Sequence, residues 1–358
     1  MTSTLSKISL AAVVAASALP AFAATPVGDF LSFSGFGTLG GIATSTDEAQ
    51  FHRDRQAGGA DKSGSLTVDS DFGMQLTATA TSWLSATAQV LSLNRDGKSL
   101  STEVEWAFVK ATPVDGLALR AGRMALPVFA VSDSRNVGYV NNWLRPPAEV
   151  YGLAMLGRLN GADATYSAPI GSTTLTASVL GGKSEILNAT EPAYPATGVR
   201  GLNLQWETEW ATFRLGQIRS HVHLAALGII DAYTFTGAGV SVDRNNVVLQ
   251  AEYVKRDSKT SPTIVNNNGW YVLGGYRFDQ LLPYASYASS KPTYAVAPFH
   301  VAGPQHTAAL GLRWDAYKSL DIKAQVERID TDGTYGVSFA TPVSKPITAV
   351  SVAADFVF

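Results

Sequence analysis

The sequence predicts a membrane-crossing antiparallel β-barrel of about sixteen strands, with short turns at one end and long loops at the other. Three observations predict it. Apolar and polar residues alternate with period two through most of the chain, the spacing that sends successive side chains to opposite faces of a strand. Tight turn sequences alternate with long connections rich in Gly, Pro, Asn and Ser. The chain also begins with an export leader yet has no cysteine among its 358 residues, so it forgoes covalent staples in an oxidising compartment.

The leader decides which residues belong to the fold. Lys7 supplies the positive charge, Ile8 to Leu19 is an unbroken small and apolar run, and Pro20 interrupts it. Ala21-Phe22-Ala23 then fits the small-residue cleavage rule, so residues 1–23 read as a removed signal peptide and 24–358 as the mature domain. The apolar run is shorter than the roughly 20 residues a spanning helix needs; a buried N-terminal helix is the competing reading. Cleavage takes away one lysine and no acid, moving the formal charge from −2 to −3.

Along the mature chain, strands fall near 30–44, 64–81, 84–95, 101–112, 115–124, 161–168, 172–182, 199–209, 211–222, 230–242, 245–257, 268–279, 281–290, 305–315, 318–330 and 347–358. Trp83-Leu84, Pro113-Val114-Asp115-Gly116, Asp243-Arg244-Asn245-Asn246 and Asp279-Gln280 are tight connections. The stretches 46–62, 125–160, 183–198, 258–267 and 291–304 are long. In the last strand Val350, Val352, Ala354, Phe356 and Phe358 share one face, and Ala349, Ser351, Ala353, Asp355 and Val357 the other. The same split separates Ala308, Leu310, Leu312 and Trp314 from Thr307, Ala309, Gly311, Arg313 and Asp315, and Ile322, Ala324 and Val326 from Asp321, Lys323, Gln325 and Glu327. No repeat, linker or change of composition divides the chain, which reads as one domain.

A sheet in lipid cannot leave an edge unpaired, so strands of this kind must close on themselves. Aromatic residues at strand ends (Phe30, Trp106, Trp206, Trp210, Trp270, Tyr276, Phe278, Trp314, Tyr317) fit an interfacial girdle. A soluble sandwich or propeller is the alternative, since such folds also alternate. With 46% hydrophobic and 16% charged residues, disorder is excluded. Collagen, coiled-coil and disulfide-scaffold patterns are absent. The 27 basic against 29 acidic residues leave no excess for nucleic acid.

Several segments carry a resemblance. Leu31-Ser32-Phe33-Ser34-Gly35-Phe36-Gly37-Thr38-Leu39-Gly40-Gly41 resembles the first barrel strand of the Gram-negative outer-membrane porins. Leu119-Arg120-Ala121-Gly122-Arg123 resembles that family's strand leading into its pore-folded third loop, and Phe358, with Phe356 two residues before it, resembles the family's C-terminal assembly signal. The resemblance covers essentially the whole mature length. It implies a sixteen-stranded barrel in the outer membrane, commonly a homotrimer, inserted by the barrel-assembly machinery and passing small hydrophilic solutes and ions. The long loops match no solute-specific subgroup.

A pore needs a polar lumen, a constriction and placed charges. Arg120, Arg214, Arg277 and Arg313 take the parity opposite their apolar neighbours and point inward; on a lipid face at mid-depth an arginine would cost about 2–4 kcal/mol. Segment 125–160 is too long for a plain turn and too apolar for disorder, with Val128, Phe129, Val131, Tyr139, Val140, Trp143, Leu144 and Tyr151. It also carries Asp133, Arg135, Arg145, Glu149 and Arg158. Folded into the barrel, it would narrow the lumen and set its acids, Asp133 and Glu149 foremost, against basic wall residues. An extracellular cap or a subunit-contact loop is the alternative.

Catalytic motifs are missing: no nucleophile elbow, phosphate loop, HExxH or cysteine pair occurs. His221 and His223 share a strand face without a third ligand, and Asp47, Glu48 and Asp54 beside His52 read as a solvated loop rather than a calcium site. No cofactor is expected. Two function classes remain: a water-filled, weakly charge-selective diffusion channel, leaning to anions, and a non-conducting barrel acting as scaffold or adhesin.

Overall fold

In space the period-two pattern becomes a continuous antiparallel ladder. A computed structural model describes residues 25–26, 30–95, 100–186, 193–224, 228–258, 264, 266–294 and 303–358; the leader 1–23 and parts of several connections lie outside the described residues. The strands are β1 (Thr25–Pro26), β2 (Leu31–Thr44), β3 (Asp71–Thr81), β4 (Leu84–Asn94), β5 (Leu100–Val114), β6 (Leu117–Ala125), β7 (Arg158–Ile170), β8 (Thr173–Ile186), β9 (Tyr194–Glu207), β10 (Ala211–Leu224), β11 (Ile229–Arg244), β12 (Val247–Ser258), β13 (Asn266–Tyr276), β14 (Leu281–Tyr294), β15 (Gln305–Tyr317), β16 (Leu320–Asp330) and β17 (Ile347–Val357). β1 is a two-residue stub on β2. Each of the other sixteen pairs with its neighbour in sequence, and β17 pairs back onto β2, closing the barrel.

Alternation fixes which way each strand faces. On β17, Val352 is 57% exposed on the outer wall while Asp355 is fully buried inside, the arrangement a barrel in lipid requires. At the seam, Gly35 N–H donates to Phe358 O at 2.8 Å and Phe358 N–H to Gly35 O at 3.0 Å. The Phe358 ring lies on the outer wall with its centroid 5.9 Å from Phe33 and 6.2 Å from Phe72, and Phe356 stacks 6.4 Å from Phe358.

The short-turn end is built by residues that tolerate positive φ. Asn245 (φ 51°) and Asn246 (φ 68°) join β11 to β12 as a two-residue hairpin turn whose twist matches the strands. At the opposite end, segments 45–70 and 331–346 fold inward over Ile42 and Ile329, with Phe51 packed edge-on to Phe339 at 5.9 Å.

Three sequence expectations are corrected. The strand expected from residue 64 begins at Asp71, because the preceding hydroxyls bind local backbone instead of a ladder: Ser70 Oγ donates to Leu66 O at 2.6 Å and Thr67 N–H to Ser65 Oγ at 3.2 Å. Trp106, expected in the outer girdle, is buried inside beside Phe108, since a register shift at Gln89/Val90 turns it round. Arg277 lies past the end of β13, in the turn rather than on a strand.

Candidate functional site

The connection from β6 to β7 is apolar enough to need a core and too long to stay at the rim, so it drops into the barrel. Its base is pinned by Leu126 N–H donating to Gly157 O at 3.2 Å. From there Phe129, Trp143, Val150 and Tyr151 pack against Phe235, Val254, Tyr271 and Leu273 of the inner wall. Phe129 stacks on Tyr151 at 4.3 Å and meets Phe235 edge-on at 5.6 Å, and Trp143 meets Tyr271 edge-on at 5.4 Å. The one-turn helix α1 (Ala148–Tyr151) sits so close to β13 that a Cβ at Gly269 would overlap the Glu149 carbonyl; at Gly237 it would stand 3.0 Å from Val128 O.

Hydrogen bonds trace the path of this segment. Ala130 N–H and Tyr151 OH both donate to the Glu252 carboxylate, at 3.0 and 3.1 Å. Arg214 Nη2 donates to Pro127 O. Leu144 N–H donates to Tyr284 OH at 3.1 Å, Arg313 Nη1 to Asn141 O at 2.8 Å and Lys323 Nζ to Gly138 O at 2.7 Å. Tyr139 OH reaches Lys318 O, in the turn at the short-turn end, at 2.7 Å. The segment therefore runs inside the barrel, along β10–β17, and descends through it rather than covering its mouth.

Arg145 anchors the descent. Its guanidinium grips Asp69 through Nε at 2.9 Å and Nη2 at 2.8 Å, binds Glu327 and Ser351, and lies over the Phe51 ring at 5.1 Å. Burial alone would raise the Asp69 pKa, but Arg145 outweighs it and holds the carboxyl below its ordinary range. Glu149, on α1, is 1% exposed and accepts from Gln305 Nε2 at 2.8 Å and from Thr307 Oγ1; burial pushes its pKa up. The sequence reading puts Arg145 and Glu149 at the channel surface. The structure instead buries both in the seat of the segment: Arg145 finds its partners on segment 45–70, β16 and β17, and Glu149 finds its own on β15.

The remaining candidates have other surroundings. Arg120 points inward from β6, with Nε 3.0 Å from Asp163 Oδ1 on β7 and its guanidinium over Phe108 at 5.5 Å. Arg214, on β10, also donates to Asn203 Oδ1 at 2.8 Å. Asp133, on the inserted segment, lies among them: burial raises its pKa, the facing charges of Arg120 and Arg214 oppose that rise, and Asp163 adds to it. Arg313 pairs with Asp315 at 2.7 Å and Asp321 at 3.1 Å, nearer the short turns. Arg277 pairs with Asp243 at 2.8 Å at the rim.

Arg135 meets Arg55 of segment 45–70 at the backbone of Gly157, where a Cβ would stand 2.9 Å from Arg135 Nη2 and 2.9 Å from Arg55 Nη1. Arg55 is tied to Asp54 at 3.1 Å through Nε, yet its buried Nη2 has no hydrogen-bond partner. Among the described residues Arg135 makes no ion pair. Burial, with the Arg55 charge adding to it, pulls the Arg135 pKa down to about 10, against the pull of Glu105 and Asp54. Nearby Arg158 is neutralised by Glu103 at 2.6 Å and Glu105 at 3.4 Å. No group of three or more His, Asp or Glu among the described residues is placed to hold a metal ion.

Sequence reasoning did not select Arg55, Asp69 or Glu252. Inward parity was the available signal for Glu252; Arg55 and Asp69 lie in an irregular segment where parity says nothing.

A search of curated proteins gives no match. Among solved structures, OmpF of Salmonella typhi in complex with daunomycin aligns at TM-score 0.62 and 15% identity, covering 91% of this chain and 97% of that one. An anion-selective porin from Comamonas acidovorans aligns at 0.60 and 12%, covering 92% and 99%. In-vitro folded OmpT of Vibrio cholerae, in its trimer form, aligns at 0.54 and 13%, covering 92% and 100%. These likenesses show a shared fold. The family model for Gram-negative porins matches residues 9–334. A match of that length, on a closed sixteen-strand barrel with a segment folded into it, means that this chain belongs to the Gram-negative porins, barrels of the outer membrane.

Proposed function

We propose that this porin is an open diffusion channel for small hydrophilic solutes and ions, narrowed by segment 126–157 and weakly selective for anions. Transport, not catalysis, is the activity assigned. The path of the segment supports this reading: its hydrogen bonds run to β10, β12 and β14–β17, while Arg120, Asp163 and Asn203, inward from β6, β7 and β9, stand as the opposite wall of the passage. Asp133 facing Arg120 and Arg214 supplies a transverse field that orients dipolar solutes and penalises apolar ones. The lean to anions rests on Arg135 and Arg55, two adjacent guanidinium groups to which, among the described residues, only Asp54 is ion-paired.

Residues 1–23 act, on this reading, as the cleaved export signal, and the Phe356 and Phe358 pair at the seam serves the barrel-assembly machinery. Three copies assemble through the outward faces of β2–β4, where Leu39, Met74 and Leu76 are exposed and no charge points outward; the trimer form of the Vibrio cholerae neighbour supports the number of copies.

The test is single-channel recording of the detergent-refolded protein in a planar bilayer under a salt gradient. Discrete ohmic steps with an anion-directed reversal potential are expected. A silent membrane that demonstrably contains the folded barrel would replace the channel with a scaffold or adhesin.

A further inference from the structure

We propose that the outer wall over β14–β16 carries a second activity, hydrolysis of acyl esters by Ser289, His306 and Asp330 at the lipid boundary. No local motif announces it; strand register assembles it. Ser289 on β14 is the direct antiparallel partner of His306 on β15, and His306 is the direct partner of Asp330 on β16. Directly opposed residues on one face of a sheet stand about 4.5–5.5 Å apart at Cβ. Nucleophile, base and carboxylate therefore follow one another along a single row, the order that acyl transfer uses on unrelated folds.

Parity puts all three on the outside. Tyr287, Leu310 and Val326, each an even number of residues away on its own strand, are exposed on the outer wall. Ser289 itself is buried, and His306 and Asp330 are half-buried. The row lies where the apolar run on these strands gives way, with Lys291 after Ser289 and Arg328 before Asp330. Trp270, the partner of Ser289 on β13, and Tyr287 share this face with ring centroids 5.7 Å apart. Such a pair sits at the level of headgroups, where amphipathic rings collect.

The chemistry follows from the row. His306 Nδ1 is buried without a hydrogen-bond partner among the described residues. Asp330 accepts Asp332 N–H through Oδ1 at 3.0 Å, which steadies its carboxylate and leaves Oδ2 for the ring. Among the described residues no hydrogen bond joins the three side chains, and in acyl transfer such bonds tighten once substrate is in place. Ser289 Oγ adds to the ester carbonyl carbon as His306 Nε2 takes its proton. Asn268, diagonal to Ser289 on the same face, donates an amide N–H to the oxyanion. The carbon–oxygen bond to the alcohol then breaks, and His306 returns the proton to that oxygen, leaving an acyl-serine. Water, deprotonated by the same ring, attacks the acyl carbon; Ser289 leaves with the proton and a free carboxylic acid departs. A site on the lipid-facing wall takes an amphiphile whose chain lies along the barrel, not a solute of the passage.

The test uses the refolded full barrel in detergent micelles, with p-nitrophenyl palmitate as substrate and a fluorophosphonate as active-site label. The parent should release nitrophenolate and take up one phosphonyl group, located at Ser289 by peptide mass spectrometry. Ser289→Ala should lose both signals while keeping its melting temperature and its single-channel conductance, so failure of this site is separable from failure of the channel. His306→Gln should slow hydrolysis about 100-fold or more. Asp330 positions the ring without touching the ester, so Asp330→Asn should lower kcat with KM unchanged, and Asp330→Glu should restore part of the rate. A parent that releases no nitrophenolate, a label on another residue, or a Ser289→Ala barrel as fast as the parent would overturn the proposal. So would an Asp330→Asn barrel with the parent's kcat, which would reduce that carboxylate to a cap on its turn.

Discussion

Arg135 and Arg145 lie on the same inserted segment, and the fold treats them in opposite ways. Arg145 is matched by Asp69 and Glu327, a serine hydroxyl and an aromatic face, all buried with it. Arg135 is set beside a second guanidinium and has no ion pair among the described residues. Burying a charge is tolerable only with partners in good geometry, so Arg145 is spent on holding the segment in place. The charge of Arg135 is left over, and in the proposed channel it acts on whatever passes.

Breaking the anchored region should produce the largest effect. Arg145→Ala leaves Asp69 and Glu327 buried without their counter-charge, at a cost of about 3–5 kcal/mol. Thermal unfolding should shift down, and single-channel records should become noisy as the segment leaves its seat. An unchanged melting curve would mean that the cluster does not hold the segment.

Asp69→Asn should cost less, about 1.5–3 kcal/mol, since the amide keeps one acceptor for the guanidinium. Its pH dependence sharpens the point. The Asp69 carboxyl is held below its ordinary value of 3.8, so its contribution is fully present above that pH and is lost as pH falls through the lower folded value. Melting temperatures of parent and variant should therefore differ at pH 7, begin to converge below about pH 4 and meet only once pH has fallen through the lower folded value.

The open region should respond in selectivity rather than stability. Arg135→Ala should move the reversal potential toward cations while leaving the melting temperature unchanged or slightly raised, because it relieves the repulsion with Arg55. Arg120→Ala and Arg313→Ala should move it in the same direction by less, since each is already paired to a carboxylate. A larger shift at Arg120 than at Arg135 would place the narrowest point lower, beside Asp163.

These differences set the limit on what the residues alone disclosed. Period-two alternation showed the barrel because a strand buried on one side and lipid-facing on the other must alternate; Val350, Val352 and Phe356 announce their face without help from any distant residue. The inserted segment was legible as apolar and long. Which of its charges is consumed was not, because Asp69 is 76 positions from Arg145 and Glu327 is 182 away. Parity also fails where the ladder is irregular, as the bulge beside Trp106 shows.

The pin between Leu126 and Gly157 has a consequence for how such channels diversify. Because the segment leaves and re-enters the wall at one point, its interior can be lengthened, shortened or recharged while β6 and β7 keep their register. On the proposed reading, bore and container are separable parts: mutation retunes what passes within a stretch of some thirty residues, without renegotiating the sixteen-strand closure on which survival in the bilayer depends.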